Sequence, residues 1–460
     1  MNFSGAFSRS LENLERRLIT ADTIGRLGRV SSIIGPIIRA SFPDARVGAR
    51  YRVARADGSW LLAEAVGFDD RHVLLMPLGP MEGVSARAKV ITAEDEEFVP
   101  AGDAVRGRVL DALGKPIDGL GPIETDQMAS LQASPPNPLE RSRIREPVET
   151  GVRAIDALLT VGRGQRVGIF AGAGVGKTTL LSAIARHVRA DSIVLALVGE
   201  RGREVLGFLQ DDLGPEGLAR STVVVSTSDQ PPLLRLKAAY AATAIAEHAR
   251  SRGQNVVLMM DSVTRFARAL RDVGLAAGEP PGDRGFPASV YAELPRLFER
   301  AGNDGAGSIT AFYTVLVKGD DFSEPIADET KSILDGHFML SRKLAARKHW
   351  PAIDLTLSES RVRNEVVTPE HRAAAEKILS VVAEYERNYD KISLGLYEHP
   401  RDSRDPNPAS AYPRRVEPFV RQDLHSDRPD FAATRESLVR LLSHEAGGAQ
   451  PPRLGVGGAT

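Results

Sequence analysis

The chain has 460 residues, 42% of them hydrophobic and 26% charged, with 59 basic and 60 acidic side chains for a formal net charge of −1, and no cysteine. That length suggests roughly three structural units. The balanced charge excludes a global field that would recruit nucleic acid or anionic lipid, and the lack of thiols excludes disulfides, thiolate zinc sites and cysteine nucleophiles and fits a reducing cytosol. The nine histidines are scattered without a close pair, which argues against a histidine-based metal site.

Phe3, Phe7, Leu11, Leu14 and Leu18 recur at steps of four and three, with Arg9, Arg16 and Arg17 off that stripe. Residues 1–24 therefore read as a short amphipathic helix, without the apolar core and cleavage site of a signal peptide. Its stripe either packs on the chain's own next domain or lies in a groove of a partner, and three arginines are too few for stable lipid anchoring. Over residues 25–98, β-rich runs (RVSSIIGPIIRASF, RYRVAR, WLLAEAVGF, HVLLMPL) are separated by Asp57-Gly58, Asp69-Asp70 and Gly79-Pro80, the spacing of a small β-barrel. Further turn signals at Gly114 to Pro116 and Asp118-Gly119 precede a Pro-rich connector from Ser134 to Pro147.

From about Thr150 to Thr368 apolar strands alternate with helical segments, the signature of a parallel sheet covered on both faces. The expected strands are 166–170, 192–198, 222–225, 255–260, 308–317 and 353–357, inside a domain of residues 99–368. Helical spacing returns over 369–397 and 430–442, giving a C-terminal helical domain of residues 369–446, and the Gly/Pro-rich ending, 447–460, reads as disordered. No apolar stretch approaches the roughly 18 residues of a membrane span. The longest candidate, Ile309 to Val317, is interrupted by Thr310 and Thr314. The fold class is thus α/β: an N-terminal barrel, a central parallel-sheet domain and C-terminal helices.

The run RVGIF-AGAGVGKTT-LLSAIARHVRA has the strand, loop and helix context of a phosphate-binding loop. Gly172, Gly174 and Gly176 let backbone N–H groups, with those of Ala173 and Val175 between them, turn towards phosphate oxygens at a helix N-terminus. Lys177 is suited to the β/γ phosphates and Thr178, followed by Thr179, to Mg²⁺. Ala171 departs from the first glycine of the strict G-x-x-x-x-G-K-[ST] pattern. Downstream, SIVLALV ends in Gly199, Glu200 and Arg201, and NVVLMM ends in Asp261, so both acids stand at carboxyl ends of strands, where open α/β sheets bind ligands. Asp261 reads as a Mg²⁺-holding aspartate or as the cap of a helix starting near Ser262. Glu200 reads either as the carboxylate that polarises an attacking water, kept ionised by a cation such as Arg201, or as half of an ion pair within GERGRE.

AGAGVGKTT, LVGERGREV, MMDSVTRFARA, GEPP, SITAFYTVLV, SILDGH, LSRKLA and PAIDLTLSESR follow one another in an order that resembles the type III protein-export ATPases of injectisomes and bacterial flagella, relatives of the catalytic subunits of rotary ATP synthases. The resemblance runs from about Gly28 to His371 and weakens after Tyr397. It implies a RecA-like ATP-hydrolysing core, a homohexameric ring and a cytoplasmic location, peripheral at the inner face of the membrane beneath an export gate. Residue by residue it implies phosphate and Mg²⁺ roles for Lys177 and Thr178, a catalytic role for Glu200, a Mg²⁺ site at Asp261, and in Arg361 an arginine finger supplied to the adjacent subunit; Arg201 is expected to join the catalytic set and Glu204 the metal set. Gly285 to Tyr291 (GFPASVY) matches the family's channel-facing loop, with Ala288 where a proline is usual, and implies contact with a central stalk or unfolded cargo. Residues 1–24 match the segment that binds a stator-like regulator, and the C-terminal part the region that meets chaperone–cargo complexes. At the position where rotary and flagellar relatives carry a tyrosine packing on adenine, TPEHR has Arg372, able to stack on a base by cation–π contact. That basic residue, with STSDQPP, DSVTRFARA and ADETKSILDGH, favours the injectisome branch.

A subunit of a proton-translocating rotary synthase is disfavoured because the C-terminal part carries no acidic DELSEED-like segment. An RNA translocase is disfavoured by the near-neutral chain and the absence of clustered basic and aromatic residues in the barrel. A non-hydrolysing scaffold is disfavoured because the phosphate, metal and water residues are all present.

Overall fold

The structure is a computed structural model that describes residues 27–93, 97–399, 406–425 and 429–443. The helix expected over residues 1–24 and the tail expected over 447–460 lie outside the described residues.

Six strands close the N-terminal barrel: β1 (Leu27–Ile34), β2 (Ile37–Ser41), β3 (Arg50–Ala54), β4 (Trp60–Asp69), β5 (His72–Pro77) and β6 (Lys89–Thr92), in the order β1-β2-β5-β4-β3-β6. Alternate residues point inward, so Val30, Ile38, Tyr51, Val53, Leu61, Ala63, Leu75 and Val90 fill the interior. With Val273–Glu279 the barrel forms one compact unit, and the chain from Glu97 to Asp272 and beyond Pro280 forms a second.

In the second unit β7 (Phe98–Pro100) pairs with β9 (Met128–Ser130), while β8 (Val109–Asp111) joins the main sheet. That sheet has the order β17-β16-β10-β15-β13-β11-β12-β8, built from β10 (Arg166–Ala171), β11 (Ser192–Glu200), β12 (Ser221–Thr227), β13 (Asn255–Asp261), β15 (Ser308–Leu316), β16 (Gly336–Met339) and β17 (Glu359–Ser360), with β14 (Gly302–Asn303) beside β15. The strands from β16 to β8 run parallel, and β17 alone of the main path is antiparallel. β11, β13 and β15 are buried almost end to end, as a sheet with covered faces requires. The interruptions Thr310 and Thr314 are buried but satisfied: Thr310 Oγ1 accepts from Gly164 N, and Thr314 Oγ1 donates to Met260 O and Asp261 Oδ1.

Helices α1 (Arg153–Leu158), α2 (Lys177–His187), α3 (Pro232–Ser251), α4 (Val263–Ala276), α5 (Ala288–Glu299) and α6 (Pro325–Ile333) accompany the sheet, and α7 (Pro369–Arg387) and α8 (Phe431–Ser443) belong to the C-terminal part. The expected helix over 369–397 ends at Arg387, with a short further turn at Tyr389–Ser393.

The strand expected over 353–357 does not form. Asp354 Oδ1 accepts from Thr356 N at 3.0 Å, Thr356 Oγ1 at 2.7 Å and Leu357 N at 3.2 Å, which winds the chain into a turn, and Ile353 keeps only an isolated bridge to Leu340. Gly336–Met339 takes the place beside β10 instead.

Candidate active site

β10 delivers the chain into the glycine loop and α2 leaves it, so the loop stands at the carboxyl end of the sheet. Gly174 and Gly176 have φ of 75° and 86°, a left-handed backbone that favours glycine. Ala173 and Gly174 are exposed at the loop's crest, while the Val175 side chain is buried beneath it and Gly172 is buried too. A Cβ on Gly176 would come within 2.4 Å of the Trp350 ring, so this indole lies flush against the loop.

Lys177 heads α2 and Asp261 ends β13. The Lys177 ammonium donates to Asp261 Oδ1, and the same oxygen accepts from Thr314 Oγ1 at 2.7 Å. The Asp261 carboxylate is therefore aimed at the loop and does not cap a helix, and α4 begins only at Val263. Register fixes Asp261 beside Leu197 of β11, three residues before Glu200.

Glu200 follows a bulge between Val198 and Glu200, at which Gly199 has φ of 71°. A side chain on Gly199 would press on Arg265, its Cβ 3.0 Å from Arg265 Cδ. The space lets the guanidinium of Arg265, from the first turn of α4, reach both Glu200 oxygens at 3.1 and 3.2 Å. Burial is the main cause that pushes the Glu200 carboxyl up, to about 7, and the Asp261 charge adds to it, against the pull of Lys177 and Arg265.

The cation beside Glu200 is thus Arg265 and not Arg201. The Arg201 guanidinium is exposed at the rim, 3.4 Å from Glu204 Oε1. Thr178, Glu200, Glu204, Asp211, Asp212 and Asp261 line a cleft of about 300 Å³ between loop and strand ends. This set is all oxygen, suited to a hard cation, and among the described residues no three His, Cys, Asp or Glu side chains cluster as a metal cage.

A second cavity, of about 440 Å³, opens on the other side of the loop, lined by Thr179, Lys348, Trp350, Arg421, Gln422, Asp423, Leu424 and His425. Gln422 ties its floor together: its backbone N–H donates to Trp350 O, its Nε2 donates to Gly151 O, and its Oε1 accepts from Arg153 N. Arg372 does not line this cavity. It stands in the first turn of α7, after the buried His371, and the aromatic surface against the loop is that of Trp350.

Arg361 is at the other end of the sheet. β17 pairs antiparallel with β16, Ser360 opposite Gly336, and Arg361 N donates to Asp335 O at the level of Arg166, the first residue of β10. β10 has 6 residues, so about 20 Å of strand separates Arg361 from the loop of its own chain. Its guanidinium is exposed, with one long contact among the described residues, from Nη2 to Lys331 O at 3.4 Å.

Arg265, Thr314 and Trp350 were not singled out as site residues by sequence. Arg265 falls four residues after Asp261 and Trp350 is one of only 2 tryptophans, weak signals that acquire meaning from the fold.

Family models match three segments: "ATP synthase alpha/beta family, beta-barrel domain" over residues 30–93, "ATP synthase alpha/beta family, nucleotide-binding domain" over 151–360, and "T3SS EscN ATPase C-terminal domain" over 367–440. The chain is 47% identical over 432 residues to the flagellum-specific ATP synthase of Bacillus subtilis, covering 92% of this chain and 96% of that protein. It is 49% identical over 391 residues to the type 3 secretion system ATPase of Xanthomonas euvesicatoria, covering 85% and 88%. The solved structure of the assembled ATPase EscN with its central stalk EscO, from the type III secretion system of enteropathogenic E. coli, superposes with a TM-score of 0.82 at 45% identity, covering 90% of this chain and all of that one.

Proposed function

The chain belongs to the ATP synthase alpha/beta family, among its type III secretion and flagellum-specific ATPases, and from that premise we propose that it works as the ATP-hydrolysing motor of an injectisome, releasing chaperones from export substrates and unfolding them at the export gate. The observation that carries this reading is the joint arrangement of Lys177, Glu200 and Asp261 around one cleft with Arg361 about a strand's length away at the opposite end of the same sheet.

In this reading the loop N–H groups and Lys177 hold the triphosphate, and the Lys177 ammonium exchanges its bond to Asp261 for phosphate oxygens. Thr178 and Asp261, with Glu204 at the rim, would hold Mg²⁺, which when bound neutralises phosphate charge. Glu200 orients the attacking water and accepts its proton, for which a pKa of about 7 suits the operating pH. Arg201, weakly engaged at the rim, turns to the terminal phosphate. The base lies in the cavity beside Trp350.

Because Arg361 is too far from its own loop, it serves a neighbour's, and a ring in which every chain donates one arginine and accepts another needs a single kind of subunit. The assembled state and central stalk of the EscN structure support a homohexamer with a stalk contact for this chain. The Gly285–Tyr291 loop suits that contact: Phe286 is anchored under Arg271, 5.5 Å from its ring centroid, and Arg284 is displayed 3.6 Å from Asp321. No described helix is long and apolar enough to cross a membrane; the station proposed is peripheral and cytoplasmic, beneath the gate. A stator-like regulator bound through residues 1–24 completes the proposal.

Phosphate release by the assembled protein tests the chemistry: Glu200→Gln retains ATP binding and loses turnover, and undiminished turnover would refute it. Deleting the gene should abolish effector secretion and spare motility; loss of motility instead would assign the chain to flagellar export.

A further inference from the structure

At the amino end of the sheet, Gln165 is a fully buried amide immediately before β10. Its Oε1 accepts from Gly162 N at 2.8 Å. Its Nε2 donates to Ser360 Oγ at 3.1 Å and to the Asp335 carbonyl at 3.0 Å. That same carbonyl accepts from Arg361 N at 3.1 Å, and Ser360 Oγ donates onward to Thr160 O at 2.8 Å. The amide thus holds the residue before Arg361 by its side chain and Arg361 itself through the carbonyl that receives its N–H.

The close approach depends on Gly336, where a Cβ would fall 2.7 Å from the Glu359 carbonyl and 3.0 Å from Gln165 Nε2. Beside it the Asp335 carboxylate accepts Arg166 as a fork, Nε to Oδ2 at 2.9 Å and Nη2 to Oδ1 at 3.1 Å, and the Arg166 N–H as well. Among the described residues the Arg361 guanidinium has only its long contact to Lys331. Its direction is therefore set through the backbone, by a buried amide whose Nε2 bonds both Ser360 and the Asp335 carbonyl that receives the Arg361 N–H. A residue needed only for packing would leave no polar atoms to satisfy.

We propose that Gln165 is a positioning residue for Arg361, fixing the Ser360–Arg361 backbone so that the exposed guanidinium projects at a set height into the neighbouring subunit. The proposal rests on the reading of Arg361 as a trans-acting arginine. Since Gln165 leads directly into β10, the mount of the arginine offered to a neighbour is continuous with the strand that ends in this chain's own phosphate loop.

The test is steady-state hydrolysis by the assembled full-length protein carrying Gln165→Met, Ser360→Ala, Arg361→Ala and the pair Gln165→Met with Arg361→Ala, each checked for an intact thermal unfolding transition. A misplaced group of this kind lowers kcat by about 10- to 100-fold, with KM for ATP held within about twofold because the loop of the same chain is untouched. Ser360→Ala gives a smaller loss of the same form and carries the test if Gln165→Met does not fold. In the Arg361→Ala background Gln165→Met costs nothing more, since the mount then has no guanidinium to aim. Unchanged kcat in both Gln165→Met and Ser360→Ala, or losses that multiply in the pair, overturns the positioning role. A wild-type kcat for Arg361→Ala instead removes the finger on which the proposal rests, and that single variant tells the two failures apart.

Discussion

The two ends of the main sheet are built on opposite electrostatic plans. At the carboxyl end a lysine rests on an aspartate that also takes a threonine hydroxyl, and a carboxyl is pushed up to about 7 between an anion and two cations. At the amino end arginines other than Arg361 are matched. Arg166 is forked onto Asp335 and reaches Glu299, Arg300 meets Glu247 at 2.9 and 2.6 Å, and Arg250 meets Asp304 at 2.8 Å. Fork pairs with saturated partners resist movement. Charges sharing a small cleft are ready to rearrange when a polyanion arrives. One strand, β10, joins the two, so each subunit couples a responsive end to a fixed one.

The strongest way to break this contrast is Arg361→Ala. A finger removed from the fixed end lowers kcat by about 10³- to 10⁵-fold while nucleotide binding, read by equilibrium titration, stays as it was. Glu200→Gln at the responsive end comes next, with a loss of about 10²- to 10⁴-fold in phosphate release and retained ATP binding. Arg265→Gln sharpens the contrast through pH. Glu200 must be ionised to act, so activity declines as pH falls below about 7. Taking away a cation that favours the ionised form raises that pKa further, and the acid limb of the kcat profile moves up by about one unit. A limb that stays put or moves down would detach Arg265 from Glu200. The smallest effect is expected from Asp335→Asn, which breaks the Arg166 fork: about 1–3 kcal/mol of stability is lost in chemical denaturation, and the acid limb does not shift.

The loop, Glu200 and Asp261 were legible in the sequence because each is a local event, an apolar strand followed at once by glycines or an acid. The barrel was legible from its turns. Which arginine meets Glu200 was not, since GERGRE and TRFARALR offer several and only the fold, which brings the first turn of α4 to the end of β11, selects Arg265. Trp350 is far in sequence from the loop it covers, and its role follows from tertiary packing alone. Arg372 stands out through a local motif, yet the cavity beside Trp350 is lined without it. The segment 353–357 looked like a strand by composition, and one aspartate with three local hydrogen bonds diverted it. GHFM, too short to stand out, took its place.

If each site is completed by the next chain, mixing two defective proteins will reveal it. Lys177→Ala chains cannot hold the triphosphate but keep Arg361, and Arg361→Ala chains keep the loop but lack the arginine. Each assembly alone should be nearly inactive, and co-assembly of the two should restore hydrolysis wherever a Lys177→Ala chain faces an intact loop. Mixed assemblies that form and remain as inactive as their parents would contradict the claim.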